Sequence, residues 1–303
     1  MKLHHLRDFI TIARAGGIRA AARELGLTQP ALTKSLRSLE QELGSTLFDR
    51  SRRGVAINSF GEAFLVRAEA ALHQIERGRN EVLQLKGSAG GNVSIATSSV
   101  VALMFLSAAL ADFRKSYPDA SVSVQEGTFS NMLRGLRDGV LDFAIGPKPA
   151  ADLAEDFATE KLFDNSRRVI GRRGHPLANA TSLGELLDAP WVLTGAVGPR
   201  YHEFYEIFRD YGFKPPPALI QCESLIALMA LLDGSDAITF LPRQWAEAAI
   251  TRGLLVEFPV KETIEGPATC LMYQVGAPLT PVAEALADSF RRQVGHYLAG
   301  RRT

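Results

Sequence analysis

Residues 18–61 read IRAAARELGLTQPALTKSLRSLEQELGSTLFDRSRRGVAINSFG, and this stretch decides the fold of the N-terminal part of the chain. A short alanine-rich helix is predicted from Ile18. Gly26 follows it at the point where a helix end favours a residue with positive φ. Thr28 is the predicted N-cap of a second helix, and Pro30 falls in its first turn, where a missing N–H costs nothing. The spacing predicts two helices joined by a tight turn.

The second helix has two different faces. Leucines recurring at steps of four, three and four predict a buried stripe made of Leu32, Leu36, Leu39 and Leu43. The other face carries groups that can hydrogen-bond to base edges and phosphates, namely Gln29, Thr33, Lys34 and Arg37. Taken alone, this polar face is more typical of a solvated helix surface, because charged outer faces are common.

The following segment, LFDRSRRGVAIN, predicts a basic hairpin. Arg50, Arg52 and Arg53 cluster before Gly54, and apolar residues flank them on both sides. Such a wing places cations against DNA phosphates and gives affinity that does not depend on base sequence. The two elements together predict a winged helix-turn-helix.

Residues 28–61 closely resemble the N-terminal signature of LysR-type transcriptional regulators. That family shows Ser-Gln-Pro-Ala-hydrophobic-Ser, then Leu-Glu, Gly, Leu-Phe-x-Arg and hydrophobic-Thr-x-x-Gly. Thr28, Thr33 and Asn58 replace the two serines and the threonine, and each retains a hydroxyl or a capping side chain. The resemblance extends over the whole chain and implies binding of double-stranded DNA. The residues implied are Gln29, Pro30, Thr33, Lys34, Arg37, Arg50, Arg52 and Arg53.

The charge of the 303-residue chain is unevenly distributed, although its net value is only +1. Residues 1–90 hold 14 Lys/Arg and 9 Asp/Glu, whereas the remaining residues hold 20 and 24. A basic head on a mildly acidic body is expected for a DNA-binding module joined to another domain. The sequence shows neither a signal peptide nor an apolar stretch of membrane-spanning length, which predicts a cytoplasmic protein without a membrane partner.

A long helix is predicted to begin near Asn58 or Ser59 and to end near a glycine-rich break at residues 87–91. Its apolar residues follow a 3.5-residue period typical of a coiled coil, at Phe64, Ala68, Ala71, Ile75, Gly78, Val82 and Leu85. Packing of this seam against the chain's own body is the alternative. In the resembling family the helix forms the dimer, which implies a homodimer or homotetramer on a pseudo-palindromic operator.

From Asn92 onward, β-strand and α-helix patterns alternate and predict a parallel sheet covered by helices. The length suggests two lobes with crossovers near residues 161–164 and 262–267. The family resemblance implies an α/β effector domain like a type 2 periplasmic binding protein. The predicted domains are residues 1–58 (winged helix-turn-helix), 59–87 (linker helix) and 92–303, with lobe I at 92–162 and 267–303 and lobe II at 163–266.

Hydroxyl residues at strand ends and helix starts predict an effector site in the cleft between the lobes. Free N–H groups at a helix start favour an anion such as a carboxylate or sulfonate, and nearby rings would suit an aromatic acid. Ordinary N-caps and core aromatics are the alternative. The candidate residues are Thr97, Ser98, Ser99, Thr128, Phe129, Thr194, His202, Glu223, Thr239 and Phe240.

Enzyme and transport functions find little support in the sequence. The nucleophile-elbow, zinc-protease, P-loop and dinucleotide motifs are absent, and the histidines lack metal-ligand spacing. Cys222 and Cys270 are far apart, which leaves two buried thiols or a redox pair as interpretations. A solute-binding protein of a transporter would have the two lobes but not the basic head. We therefore expect no catalysis, metal or cofactor, only a small organic-acid co-inducer, with RNA polymerase as a further partner.

Overall fold

The computed structural model describes residues 1–51, 54–86, 90–150, 155–194, 199–217 and 220–301. An N-terminal head comes first, made of α1 (Leu3–Ala15), α2 (Ile18–Glu24), α3 (Gln29–Leu43), β1 (Phe48–Ser51) and β2 (Gly54–Ile57). One long helix, α4 (Ser59–Leu85), connects this head to a larger α/β body.

The predicted helix-turn-helix is confirmed by the local geometry of the turn. Gly26 has a φ of +66°, in the left-handed region that favours glycine. The hydroxyl of Thr28 accepts a hydrogen bond from the backbone N–H of Ala31 at 3.4 Å, so Thr28 caps α3 as expected.

Three of the four predicted stripe leucines are fully buried in the head core, namely Leu32, Leu36 and Leu39. Leu43, predicted to belong to the same stripe, is instead 39% exposed. It lies in the last turn of α3, directly before the αL residue Gly44, and the apolar cluster of the head ends one turn earlier. Periodicity therefore gave the correct face of α3 but extended its buried part by one turn.

Helix α4 begins as predicted, and Asn58 is its N-cap, because the side-chain oxygen of Asn58 accepts from the N–H of Gly61 at 2.9 Å. Gly61 must be glycine, since a Cβ there would lie 2.2 Å from the carbonyl oxygen of Leu47. The first part of the predicted coiled-coil seam packs on the chain's own head: Ala68 is buried there, and the ring of Phe64 lies 5.4 Å from that of Phe9. Self-packing thus explains this part of the seam.

The body contains the remaining elements. Its first part comprises β3 (Gly91–Thr97), α5 (Ser99–Val101), a π-helical turn (Ala102–Leu106), α6 (Ser107–Ser116), β4 (Ala120–Glu126), α7 (Phe129–Arg137) and β5 (Phe143–Pro147). The middle part comprises β6 (Phe157–Arg172), a 3₁₀ turn (Leu183–Leu186), β7 (Val192–Thr194), α8 (Pro199–Asp210), β8 (Ile220–Cys222) and α9 (Leu225–Gly234). The last part comprises β9 (Thr239–Pro242), α10 (Gln244–Glu247), β10 (Leu255–Glu257), β11 (Ile264–Gln274) and α11 (Pro281–Ala299).

Seven described strands form one mixed sheet in the order β10-β6-β11-β5-β3-β4, with β9 also paired to β6. Strand β3 lies parallel to β4 and β5, as predicted, whereas β6 and β11 pair antiparallel. The prediction of a purely parallel sheet was therefore wrong at the two crossover strands. The chain leaves lobe I along β6 and returns along β11, so these two strands run in opposite directions. Among the described residues, no helix combines the length and apolar character that crossing a membrane requires.

Strand β6 links two hydrophobic cores. Phe163 belongs to a core that includes β3, β5, α6 and α11 and extends to Leu228 and Trp245 of lobe II; its ring lies 5.7 Å from that of Phe105. Val169 on the same strand belongs to an aromatic core around Trp191, Phe204 and Phe240. One strand therefore connects lobe I to lobe II.

A buried ion pair docks the linker helix on the body. The guanidinium Nε of Arg77 lies 3.0 Å from Oδ1 of Asp142, without the alignment of a hydrogen bond, and both side chains are almost completely buried. The other carboxylate oxygen of Asp142 accepts from the N–H of Ser94, and Nη2 of Arg77 donates to the carbonyl of Pro278. The C-terminal half of α4 is thereby tied to the starts of β3 and β5.

Candidate functional site

The polar face of α3 forms a shallow depression on the surface of the head. Its lining contains the predicted residues Gln29, Pro30, Thr33, Lys34 and Arg37, extended by Ser38 and Gln41. The hydroxyl of Thr33 donates to the carbonyl of Gln29 at 2.8 Å, which leaves its lone pairs free to accept. Lys34 and Arg37 are exposed and have no ion-pair partner within the described part of the chain. Such a surface presents donors and cations to a DNA groove.

A second depression adjoins the first and contains two arginines that the sequence analysis missed. Arg19 and Arg23 on α2 are exposed and line it together with Leu27 and Gln29. Their i, i+4 spacing places both guanidinium groups on one side of α2, beside the start of α3. This spacing was visible in the sequence, and it suits contacts to the phosphates that flank a recognition helix.

The basic wing is only partly described. Phe48 anchors β1 in the head core, and Arg50 lies opposite Val55 in the β1–β2 ladder. Arg52 and Arg53, both predicted to bind DNA, lie outside the described residues.

In the body, the predicted site residues of lobe I lie where β3 ends and a helix starts. Thr97 is the last residue of β3, and residues 99–116 form a helical run interrupted by the π-helical turn. Thr97 is completely buried, yet its Oγ1 atom has no hydrogen-bond partner among the described residues, and neither has Oγ of Ser98. Ser98 does not cap the helix through its side chain. These two hydroxyls are therefore not explained as ordinary N-caps.

The second predicted helix start behaves differently. The hydroxyl of Thr128 accepts from the N–H of Asn131 at 3.4 Å, which makes it an N-cap of α7. Phe129 is half-buried against the core around Met132. Thr128 is therefore partly satisfied within its own helix, whereas Thr97 and Ser98 are not.

The predicted residues of lobe II do not all remain available to a ligand. Thr194 at the end of β7 is half-buried, Glu223 is exposed after β8, and His202 lies in α8. Thr239 is buried in β9, as Thr97 is in β3, and stays a prediction. Phe240 must be corrected, because it packs in the aromatic core with its ring 4.6 Å from that of Trp191. Because the Phe240 side chain packs inside this core, it cannot form the wall of a cleft.

Two further polar residues of the body were missed by the sequence analysis. Asn165 and Arg167 lie on β6 between Phe163 of the lobe I core and Val169 of the lobe II core. Because side chains alternate along a strand, all four share one face of β6.

Comparison with protein families decides the identity of the chain. The model of the bacterial regulatory helix-turn-helix protein, lysR family, matches residues 3–62, and the model of the LysR substrate binding domain matches residues 86–295. The chain is a LysR-family transcriptional regulator.

Full-length relatives agree with this identification. The LysR-type regulator is 29% identical over 263 residues to the transcriptional regulator TdcA of Escherichia coli K12, covering 87% of this chain and 84% of TdcA. It is 28% identical over 307 residues to the regulator PcaQ of Agrobacterium fabrum, covering 99% and 97%. All of these relatives are named regulators, so the chain is a ligand-responsive transcription factor and not an enzyme.

Solved structures support the fold over its whole length. The crystal structure of CbnR, a LysR family regulator, matches with a TM-score of 0.74 at 21% identity and covers 97% of this chain and 99% of CbnR. Full-length CbnR in complex with its target DNA matches with a TM-score of 0.71 at 21% identity and covers 97% of this chain and 100% of CbnR. The head, linker helix and two-lobed body are thus arranged as in other LysR-type regulators.

The two cysteines of this LysR-type regulator are both buried and free. Burial raises the pKa of the Cys270 thiol, so at neutral pH it is not a thiolate. The thiol of Cys222 donates to the carbonyl of Ser224 at 3.2 Å. Within the described residues, no group of three or more His, Cys, Asp or Glu side chains could hold a metal ion.

Proposed function

We propose that this LysR-type regulator senses a small carboxylate or sulfonate that binds where β3 meets the helical run of residues 99–116. The observation that carries the proposal is the pair of unsatisfied hydroxyls of Thr97 and Ser98. A buried hydroxyl without a partner costs about 1–3 kcal/mol, and an anion entering between the lobes would accept from both.

The surrounding backbone favours the same kind of guest. The first N–H groups of a helix have no partner within the helix and carry a partial positive charge, which stabilises an anion. Phe129 offers an apolar edge beside the start of α7, where Thr128 also lies, and this supports an aromatic acid. Phe240 contributes nothing to that argument because it lies in the core of lobe II.

We further propose that the protein acts as a homodimer or homotetramer in the cytoplasm, on a pseudo-palindromic operator and in contact with RNA polymerase. The oligomer is supported by apolar side chains of α4 that the head does not cover, because Ile75 and Val82 are 46% and 53% exposed. In a long helix such residues are expected to meet a second helix. Effector binding would then shift a balance between two tetramer shapes and change the bend of the bound DNA.

A thermal-shift screen of the full-length protein tests the sensor proposal. The panel contains benzoate, an aromatic sulfonate and aliphatic acids, and a ligand at a hundred times its dissociation constant stabilises by about 2.7 kcal/mol. Thr97→Val removes the unsatisfied hydroxyl at constant shape, so it should stabilise the free protein by about 1 kcal/mol and weaken acid binding.

Ser123→Ala, at an exposed position of β4, is the matched control and should leave both properties unchanged. DNA binding should be the same for all three proteins. Melting temperatures that no acid alters, or acid affinity that survives in Thr97→Val, would rule out the proposed site.

A further inference from the structure

The turn between α2 and α3 presents an apolar side chain to solvent. Leu27 is 45% exposed, although its backbone N–H donates to the carbonyl of Ala22 at 2.9 Å and is thereby fixed. The described members of the apolar cluster of the head include its neighbours Leu25 and Leu32 but not Leu27. The backbone of Leu27 is thus held in place while its side chain stays outside the core.

The surroundings of Leu27 set it apart from an ordinary exposed leucine. Single apolar residues are common on protein surfaces and need no explanation by themselves. Leu27, however, lines the second depression of the head together with Arg19, Arg23 and Gln29, and Gln29 also lines the first depression on α3. Leu27 therefore lies beside a side chain that is expected to contact a base.

The charges around this depression indicate which molecule covers it. Arg19 and Arg23 are both exposed, and neither has an ion-pair partner in the part of the chain that the structure describes. Backbone phosphates of DNA supply the anions that these two arginines lack. Phosphates held there bring the base edges of the adjoining groove towards Leu27 and Gln29, so DNA is the molecule that fits this surface.

Major-groove chemistry offers one group that suits a leucine. The base edges in this groove are hydrogen-bond donors and acceptors, except for the C5-methyl group of thymine, which is apolar. The carboxamide of Gln29 suits N6 and N7 of adenine, whose pairing partner is thymine. An apolar side chain beside Gln29 therefore removes apolar surface from water when it meets a thymine methyl group.

We infer that Leu27 is a specificity-determining residue that contacts the methyl group of a thymine in the operator half-site, next to the base that Gln29 contacts. The inference goes beyond the proposed effector site and does not depend on it. It predicts a preference that hydrogen bonding does not supply, for thymine over uracil. Uracil pairs in the same way and keeps the O4 acceptor, but it lacks the methyl group.

Replacement of thymine by uracil in operator DNA tests the inference. A duplex that the full-length wild type selects from a random pool is resynthesised with deoxyuridine in place of one thymine at a time, and its affinity is measured by fluorescence anisotropy at fixed salt. At one position in each half-site we expect a loss of about fourfold in affinity, because one methyl contact is removed. Leu27→Ala should bind the thymine and uracil duplexes equally at this position.

Leu43→Ala is the matched control, because Leu43 is 39% exposed at the other end of α3 and is not among the described residues that line the two depressions. It should keep the fourfold loss of the wild type. If Leu27→Ala lowers the melting temperature, Leu27→Gln takes its place, since it keeps a side chain of similar length without an apolar end.

Two results would overturn the inference. One is a wild type that binds equally well with uracil at every thymine position, which would mean that no methyl group is recognised. The other is a set of uracil-sensitive positions that is the same in Leu27→Ala as in the wild type, which would assign every methyl contact to other residues.

Discussion

Removing the carboxylate of Asp142 should detach the linker helix from the body and destabilise the protein strongly. The side chain of Asp142 is fully buried, and Arg77 beside it is only 9% exposed. Removing one partner of a buried ion pair leaves an uncompensated charge and costs about 3–5 kcal/mol. For a domain of this size, about 2–4 °C per kcal/mol converts that cost into a fall in melting temperature of about 6–20 °C for Asp142→Ala.

A double-mutant cycle separates the ion pair from simple loss of packing. Arg77→Met should also destabilise, because it leaves the buried Asp142 carboxylate with the Ser94 N–H as its hydrogen-bond donor and with His73 Nε2 3.8 Å from Oδ1. The double variant Arg77→Met/Asp142→Ala carries no charge at either position and should lose less than the sum of the single variants.

The free energies of unfolding of the four proteins are compared by urea denaturation. Arg79→Met is the control, since Arg79 lies on the same helix, is 69% exposed and should change stability by less than about 0.5 kcal/mol. Strictly additive single effects would refute the reasoning, because they would mean that Arg77 and Asp142 do not interact in solution.

Three further predictions concern the head and the linker helix. Gln29→Ala should relax base preference at one operator position, whereas Lys34→Ala should weaken binding to all DNA and reduce the salt slope by about one, both read from titrations with specific and random DNA. Ile75→Glu should weaken self-association, seen as a lower mass in analytical ultracentrifugation, and an unchanged mass would exclude this face as the dimer contact. Burial lowers the pKa of His5 below its ordinary 6.5, so the head should lose stability as pH falls below about 6.5. His5→Gln should flatten that pH dependence in thermal unfolding, and a dependence equal to that of the wild type would contradict the assignment.

The head was predictable because its structure is encoded locally. The N-cap Thr28, the αL residue Gly26 and the leucine stripe each act within a few residues. The predicted buried stripe was wrong only at Leu43, which is exposed, because periodicity does not show where a core ends. Gly61 belongs to the family signature, but the close approach to Leu47 that requires it appears only in three dimensions.

The body was less predictable because its decisive contacts are distant in sequence. Alternating elements indicated an α/β sheet, but the antiparallel pairing of β6 with β11 joins residues about a hundred positions apart. Phe240 lies near the start of β9, and only its ring contact with Trp191 shows that it belongs to the aromatic core. Asn165, whose Oδ1 atom is buried without a hydrogen-bond partner among the described residues, gave no sequence signal at all, since an unsatisfied atom is a property of its surroundings.

The most direct test of the account is the operator footprint of the full-length protein with and without a saturating acid from the panel. A sensor that couples its cleft to its DNA-binding heads should keep its contacts at one half-site and change the length or bend of the protected region. We predict this change for the wild type and its loss in Thr97→Val at the same acid concentration. An acid that binds tightly between the lobes yet leaves the footprint identical would contradict the central claim.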